Sequence, residues 1–167
     1  FWGQCAEYCG DSHAYMLFRA VALNEEDWNA WLARQQEQTI VGAGDYTPLV
    51  VSENPDSVDM ELIEHGTELF VENCARCHSV DPLVQTSGPN LAHFGSRTAI
   101  AAGWLENEPA NLAHWILEPH EVKPGNFMWL GFPDPLDPKT VQMEGLKDAN
   151  LSQGDVEALV AYLYTLK

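Results

Sequence analysis

Apolar positions recur along this chain at two different periods, and the change of period divides it. After a loop rich in Gly and Cys, the run Ala14-Tyr15-Met16-Leu17-Phe18-Arg19-Ala20-Val21-Ala22-Leu23 predicts a strand. Asn24 then suits an N-cap, and Glu25, Glu26 and Asp27 suit the positive end of a helix running to about Gln38. Trp28, Trp31 and Leu32 give that helix one apolar stripe. Residues 39–56 hold Gly42, Gly44, Pro48 and Pro55 and show no period, which predicts a linker; Leu49-Val50-Val51 alone has strand character. A helical period returns with Leu62, Ile63, Gly66, Leu69 and Phe70 and stops just before Cys74. Arg97–Ala102 is expected to form a short helix and Asn111–Leu117 a firmer one, stopped by Pro119. Five prolines between 119 and 150 predict mostly loop. The clearest helix closes the chain: Ser152 caps, Asp155 stands at the third position, and Val156, Leu159, Val160 and Leu163 form the stripe. No internal repeat is present.

Charge changes what this chain can meet. Its 167 residues carry 8 Lys+Arg against 25 Asp+Glu, a net −17, with a hydrophobic share of 46% that argues against disorder. The length fits one domain with appendages. Such a surface repels nucleic acid and anionic headgroups and attracts cationic protein surfaces. No run approaches the ~18 apolar residues of a membrane span, so the chain is expected to be soluble, with membrane anchoring only through an upstream segment. The opening at Phe1-Trp2-Gly3-Gln4-Cys5 has neither an initiator Met nor a signal peptide and reads as an internal stretch of a longer protein.

The four cysteines fall in two close pairs, Cys5/Cys9 and Cys74/Cys77, each followed by a histidine, His13 and His78. Cys74-Ala75-Arg76-Cys77-His78 is C-x-x-C-H, the attachment signal of a c-type haem. The chemistry requires this spacing. Two thiols must reach two vinyl groups on one porphyrin edge while the neighbouring imidazole meets the iron. A zinc half-site needs a second ligand pair, and a redox C-x-x-C needs a βαβ setting.

From Asp56 to Lys167 the sequence resembles a class I cytochrome c. Gly66 and Phe70 match the helix contact of that family, and Tyr162 matches the aromatic on the partner helix. Gly88-Pro89-Asn90-Leu91 matches its G-P-x-L, which implies that the Pro89 carbonyl orients the His78 imidazole. The sixth iron ligand is expected to be a methionine. Lys123-Pro124-Gly125-Asn126-Phe127-Met128 resembles the K-P-G-N-x-M of cytochrome c domains fused to oxidases, which points to Met128. Met143 is the rival ligand or a packing residue, and Met60 lies upstream on the first helix. His65, His93, His114 and His120 are expected at the surface or in structural roles.

Cys5-Ala6-Glu7-Tyr8-Cys9-Gly10-Asp11-Ser12-His13-Ala14-Tyr15-Met16 gathers two thiols, an imidazole and a thioether, a soft set suited to copper. It resembles the binuclear CuA motif of cytochrome c oxidase subunit II. The resemblance implies that Cys5 and Cys9 bridge the coppers, that His13 and Met16 each bind one, and that Glu7 offers its carbonyl. It also implies a further histidine upstream of Cys5 and most of a cupredoxin barrel, neither of which is in this sequence. Alone, the stretch is expected to leave Cys5 and Cys9 as a disulfide or loose thiols.

The expected fold is mainly α: a class I cytochrome c preceded by the last loop and strand of a cupredoxin domain. The expected units are 1–38, the end of the CuA domain with its following helix; 39–56, an acidic linker; and 57–167, the cytochrome c domain. This order resembles subunit II of cytochrome-c-fused (caa-type) haem–copper oxidases. The resemblance implies an electron relay from an external donor through haem c to CuA and oxidase subunit I, on the outer face of a bacterial plasma membrane. Two other readings stay open: the CuA and cytochrome part of a nitrous oxide reductase, and a zinc- or disulfide-stabilised binding module.

Overall fold

The computed structural model describes residues 1–36, 59–133 and 141–167, so the expectations for 39–56, Leu49–Val51 included, lie outside the described residues. In chain order the strands and α-helices are β1 (Trp2–Gln4), β2 (Leu17–Arg19), α1 (Glu25–Gln36), α2 (Met60–Asn73), β3 (Ala99–Ile100), β4 (Leu105–Glu106), α3 (Pro109–Leu117), α4 (Pro119–Val122), α5 (Phe127–Leu130), β5 (Phe132–Pro133), β6 (Val141–Met143) and α6 (Gln153–Thr165) among the described residues.

Two helices hold the larger part together. Asp59 starts α2 by accepting a hydrogen bond from the Leu62 amide at 3.0 Å, and the helix buries Ile63, Gly66 and Phe70. Those three face α6, the partner with which α2 makes its closest packing. A Cβ at Gly66 would fall 2.0 Å from the Ala158 carbonyl oxygen, so the bare backbone is what lets the helices approach. One turn on, the Phe70 ring meets Tyr162 at 5.2 Å. The predicted stripe of α6 is buried, but so are Ala158, Ala161 and Tyr162, because α3 and a turn at Phe94–Ser96 also pack on that helix. Leu112 and Ile116 of α3 complete the core.

The start of α6 is a full capping box. Ser152 Oγ accepts from the Asp155 amide, and Asp155 Oδ2 accepts from the Ser152 amide at 2.9 Å. The Ser152 hydroxyl, which donates to Asp155 Oδ2 at 2.7 Å, holds the Asp155 carboxyl down to about 2 together with the Ser152 amide and His65 Nε2 at 2.9 Å.

Three expectations are corrected. Arg97–Ala102 is not a helix: Phe94–Ser96 makes one 3-10 turn, and Ala99–Ile100 then pairs antiparallel with Leu105–Glu106. The turn between them places Ala101 and Ala102 at φ 52° and 58°, a left-handed geometry that cannot continue a right-handed helix. The strand predicted over Ala14–Leu23 is confined to Leu17–Arg19 and pairs with Trp2–Gln4, because His13–Tyr15 forms a 3-10 turn instead. The region 119–150 also contains the short helices α4 and α5. Helix α1 is capped as expected, with Asn24 Oδ1 accepting from the Asp27 amide at 2.8 Å. Its Trp28, Trp31 and Leu32 stay exposed among the described residues.

Gly66→Ala is expected to destabilise the protein by ~1–3 kcal/mol or more through overpacking at a backbone contact, read as a lower denaturant midpoint. A second expectation concerns acid. The folded pKa of Asp155 lies below its ordinary value, so its contribution is complete above about pH 4 and fades as pH falls towards 2. Asp155→Asn should therefore be less stable at neutral pH, and its stability should decline less between pH 4 and 2.

Candidate metal centres

Helix α2 ends at Cys74, whose amide bonds the Phe70 carbonyl at 2.8 Å, so the buried face of the helix fixes where the C-x-x-C-H turn begins. Cys74, Cys77 and His78 line one cavity of ≈ 660 Å³, within the ~300–1,000 Å³ of cofactor pockets. Apolar side chains supply most of the wall, among them Leu91, Phe94, Ile116, Leu159 and Leu163.

The orientation of His78 follows from one bond. Its Nδ1 lies 2.7 Å from the Pro89 carbonyl oxygen, which only accepts, so Nδ1 carries the proton and Nε2 keeps its lone pair. Burial lowers the His78 pKa and keeps the ring neutral, the form that binds metal. Burial likewise pushes the Cys74 thiol up to about 12. Among the described residues, the sulfurs of Cys74 and Cys77 and a nitrogen of His78 do not converge within 4.8 Å of one another as a zinc set would. They are spread along a cavity. That distribution suits a flat organic macrocycle joined to two thiols and ligated by one imidazole.

Met128 lines the same cavity, carried there by α5. Asn126 holds the approach: its side chain accepts from the Trp129 amide and donates to the Pro119 and Lys123 carbonyls at 2.8 and 2.6 Å. Met143 does not line the cavity; its sulfur sits 3.0 Å from Cys77 Sγ. Met60 is exposed on α2.

Sequence reasoning missed the two cations of the cavity wall. Arg97 lines the cavity and donates to the Asn90 and Ala92 carbonyls at 2.6 and 3.0 Å, and Lys123 lines it while only 8% exposed. Burial lowers the pKa of both. The available signal was scarcity, since the whole chain has only 8 Lys+Arg.

The copper-type loop is gathered as its spacing suggests. Pairing of β1 with β2 returns the chain so that the Cys5 amide donates to the Met16 carbonyl at 3.0 Å. Cys5 Sγ lies 3.1 Å from the Glu7 carbonyl oxygen and 3.5 Å from Cys9 Sγ. Cys9 Sγ lies 3.6 Å from His13 Nδ1 and 3.9 Å from Met16 Sδ. Both cysteines are free thiols. The bond to Cys5 raises the Cys9 pKa. Two thiols, an imidazole, a thioether and a carbonyl thus converge, a donor set that fits copper. No second imidazole joins them among the described residues.

The other histidines stand apart. His65 pairs with Asp155, His114 Nε2 is 3.6 Å from Glu121, and His120 stacks on Trp129 at 4.3 Å. His93 is buried.

A crossed helix pair carrying C-x-x-C-H on one cavity wall and a methionine on another is the arrangement of a small single-haem electron carrier. The sequence matches the family described as Cytochrome c over residues 63–167, and the chain belongs to that family. The whole chain also aligns with larger proteins. It is 35% identical to cytochrome c oxidase subunit 2 of Alkalihalophilus pseudofirmus, 33% to that of Bacillus sp. (strain PS3) and 32% to that of Bacillus subtilis, with 100% of this chain covered each time. The chain spans 39% of the length of these relatives. No helix among the described residues is long and apolar enough to cross a membrane.

Copper added to the reduced, isolated chain is expected to bind without the seven-line EPR signal of a mixed-valence pair, because no second imidazole joins the loop among the described residues. A near-stoichiometric seven-line spectrum would contradict this.

Proposed function

We propose that this chain relays single electrons within a haem–copper oxidase, from an external donor to the copper loop and onward to subunit I. The observation that carries the reading is the cavity itself, with His78 turned by Pro89 to leave Nε2 free and Met128 on the same walls. Bound haem c supplies a one-electron iron couple, and the chain's residues determine how it is held. Cys74 and Cys77 would hold it through thioethers, His78 and Met128 would bind its iron, and Pro89 fixes the imidazole. A methionine thioether favours the ferrous state and raises the potential. The apolar walls keep water out, so little solvent must reorganise when charge changes.

The cations lining the cavity support the same reading. Among the described residues no carboxylate lies within salt-bridge distance of Arg97, whose guanidinium donates to two carbonyls and lies over the Phe94 ring, while Lys123 is buried, and a cation taken out of water without a counter-charge is costly. The carboxylates of a haem would offset that cost at Arg97 and Lys123. Cys5, Glu7, Cys9, His13 and Met16 are the ligands this chain would give to CuA in the parent protein. In this proposal residues 1–38 close the CuA domain, 39–56 link, and 57–167 form the cytochrome domain on the outer side of the membrane. The net −17 favours a donor that is cationic where it docks. Glu7 and Gly10 favour the oxidase over nitrous oxide reductase, whose motif has an aromatic in place of the first and lacks the second.

Protein made with a cytochrome c maturation system is expected to keep its haem through denaturing electrophoresis, and Cys74→Ala with Cys77→Ala should abolish this. Met128→Ala should remove the weak near-infrared band of a ferric Met–iron bond and lower the potential, while Met143→Ala should keep the band. The reverse pattern would transfer the axial role to Met143.

A further inference from the structure

The N-terminal segment is not a free appendage. It lies against two walls of the cavity, and each contact starts one residue from a copper-type donor. Ser12, next to His13, donates from Oγ to the Pro124 carbonyl at 2.5 Å. Pro124 adjoins Lys123, which lines the cavity, and precedes Gly125, whose φ is +74°. A Cβ at Gly125 would fall 2.5 Å from Asp11 Cβ, so this contact is also tight. Leu17, next to Met16, donates its amide to the Ala102 carbonyl at 3.0 Å, and Ala102 lines the cavity.

Further contacts fix the alignment. Tyr15 meets Trp104 edge-on at 5.0 Å. Arg19 grips Glu106 with both terminal nitrogens, at 2.5 and 3.2 Å. An exposed pair of this kind adds little stability, but its fork geometry sets register. The wall it holds is strained: Ala101 and Ala102 both sit in the left-handed region, which alanine adopts only when its surroundings impose it.

We infer that Asp11–Arg19, seated on the walls 99–103 and 123–126, is the internal electron-transfer interface of the protein. The bridges Ser12–Pro124 and Leu17–Ala102 couple its two sides, and Arg19–Glu106 aligns them. This rests on the relay proposed above. One electron leaves the cavity side and arrives at the copper-loop side; no bond forms or breaks and no proton moves. The same contacts close this face of the cavity, so the external donor must approach from another.

The test has two parts. In the haem-loaded chain, amide exchange of 11–19 and 99–103 should be protected. Arg19→Glu should speed it at least tenfold, and adding Glu106→Arg should restore it. In the full-length oxidase, Ser12→Ala and Arg19→Glu should slow flash-initiated electron transfer from haem c to CuA about tenfold, with haem and copper spectra and donor-to-haem rates unchanged. The charge swap should recover the Arg19→Glu loss. Unprotected amides in the haem-loaded chain, or internal transfer indifferent to both substitutions, would overturn the interface. A fall in the donor-to-haem rate instead would reassign this face to the donor. A colourless wild type would sink the relay reading itself, and the absorption spectrum shows that before any rate is measured.

Discussion

The approach of α2 to α6 at Gly66 and Ala158 determines where the cavity stands. With no Cβ at Gly66, the helices pack backbone against backbone, and that depth sets the register of the later turns of α2. Phe70 meets Tyr162 one turn later, and the Phe70 carbonyl then receives the Cys74 amide. A slip of one helical turn would move Cys74 by ~5.4 Å relative to the facing wall of the cavity. On the opposite helix, Leu159 and Leu163 belong to the same crossing and also line the cavity. One contact therefore places both the attachment turn and the apolar wall facing it.

Electrostatics refine what packing places. A chain with a large negative excess turns two of its few cations towards an apolar cavity, and both are depressed by burial. His78 is kept neutral by the same burial, while Pro89 decides which nitrogen is available. The cavity thus offers a lone pair, two thiols and a thioether in a mostly apolar lining, whose charged residues are Arg97, Lys123 and Glu144. This distribution suits an anionic macrocycle better than a free metal ion, which would want ionised ligands converging on one point.

Much of this was legible because the signals are local. Helix α6 announces itself through Ser152, Asp155 and a stripe of period 3.6, and α2 through the same period. The copper-type donors come together because turns and a short strand pair gather residues already close in sequence. The hidden features are set by distant partners. Ala99–Ala102 has helix-forming residues, yet cross-strand pairing and the contact with Leu17 hold it in a turn. Ser12 and Pro124 are 112 residues apart, and neither advertises the other. Arg97 and Lys123 look like ordinary surface cations until the fold brings them to the cavity wall.

Strain and docking explain each other at the Ala99–Gly103 wall. Two adjacent alanines in the left-handed region cost ~1–2 kcal/mol each, so an isolated cytochrome lobe would gain by relaxing them. The Leu17 amide satisfies the Ala102 carbonyl that this conformation turns outward, and the Tyr15–Trp104 and Arg19–Glu106 contacts brace both ends of the hairpin. The wall is therefore shaped for a partner that the chain itself carries. Since the bracing residues alternate with copper-type donors along 13–19, the geometry that orders the loop also fixes its distance from the cavity. The relay proposed above would thereby keep its two sides in register through the chain's own contacts instead of relying on repeated encounter.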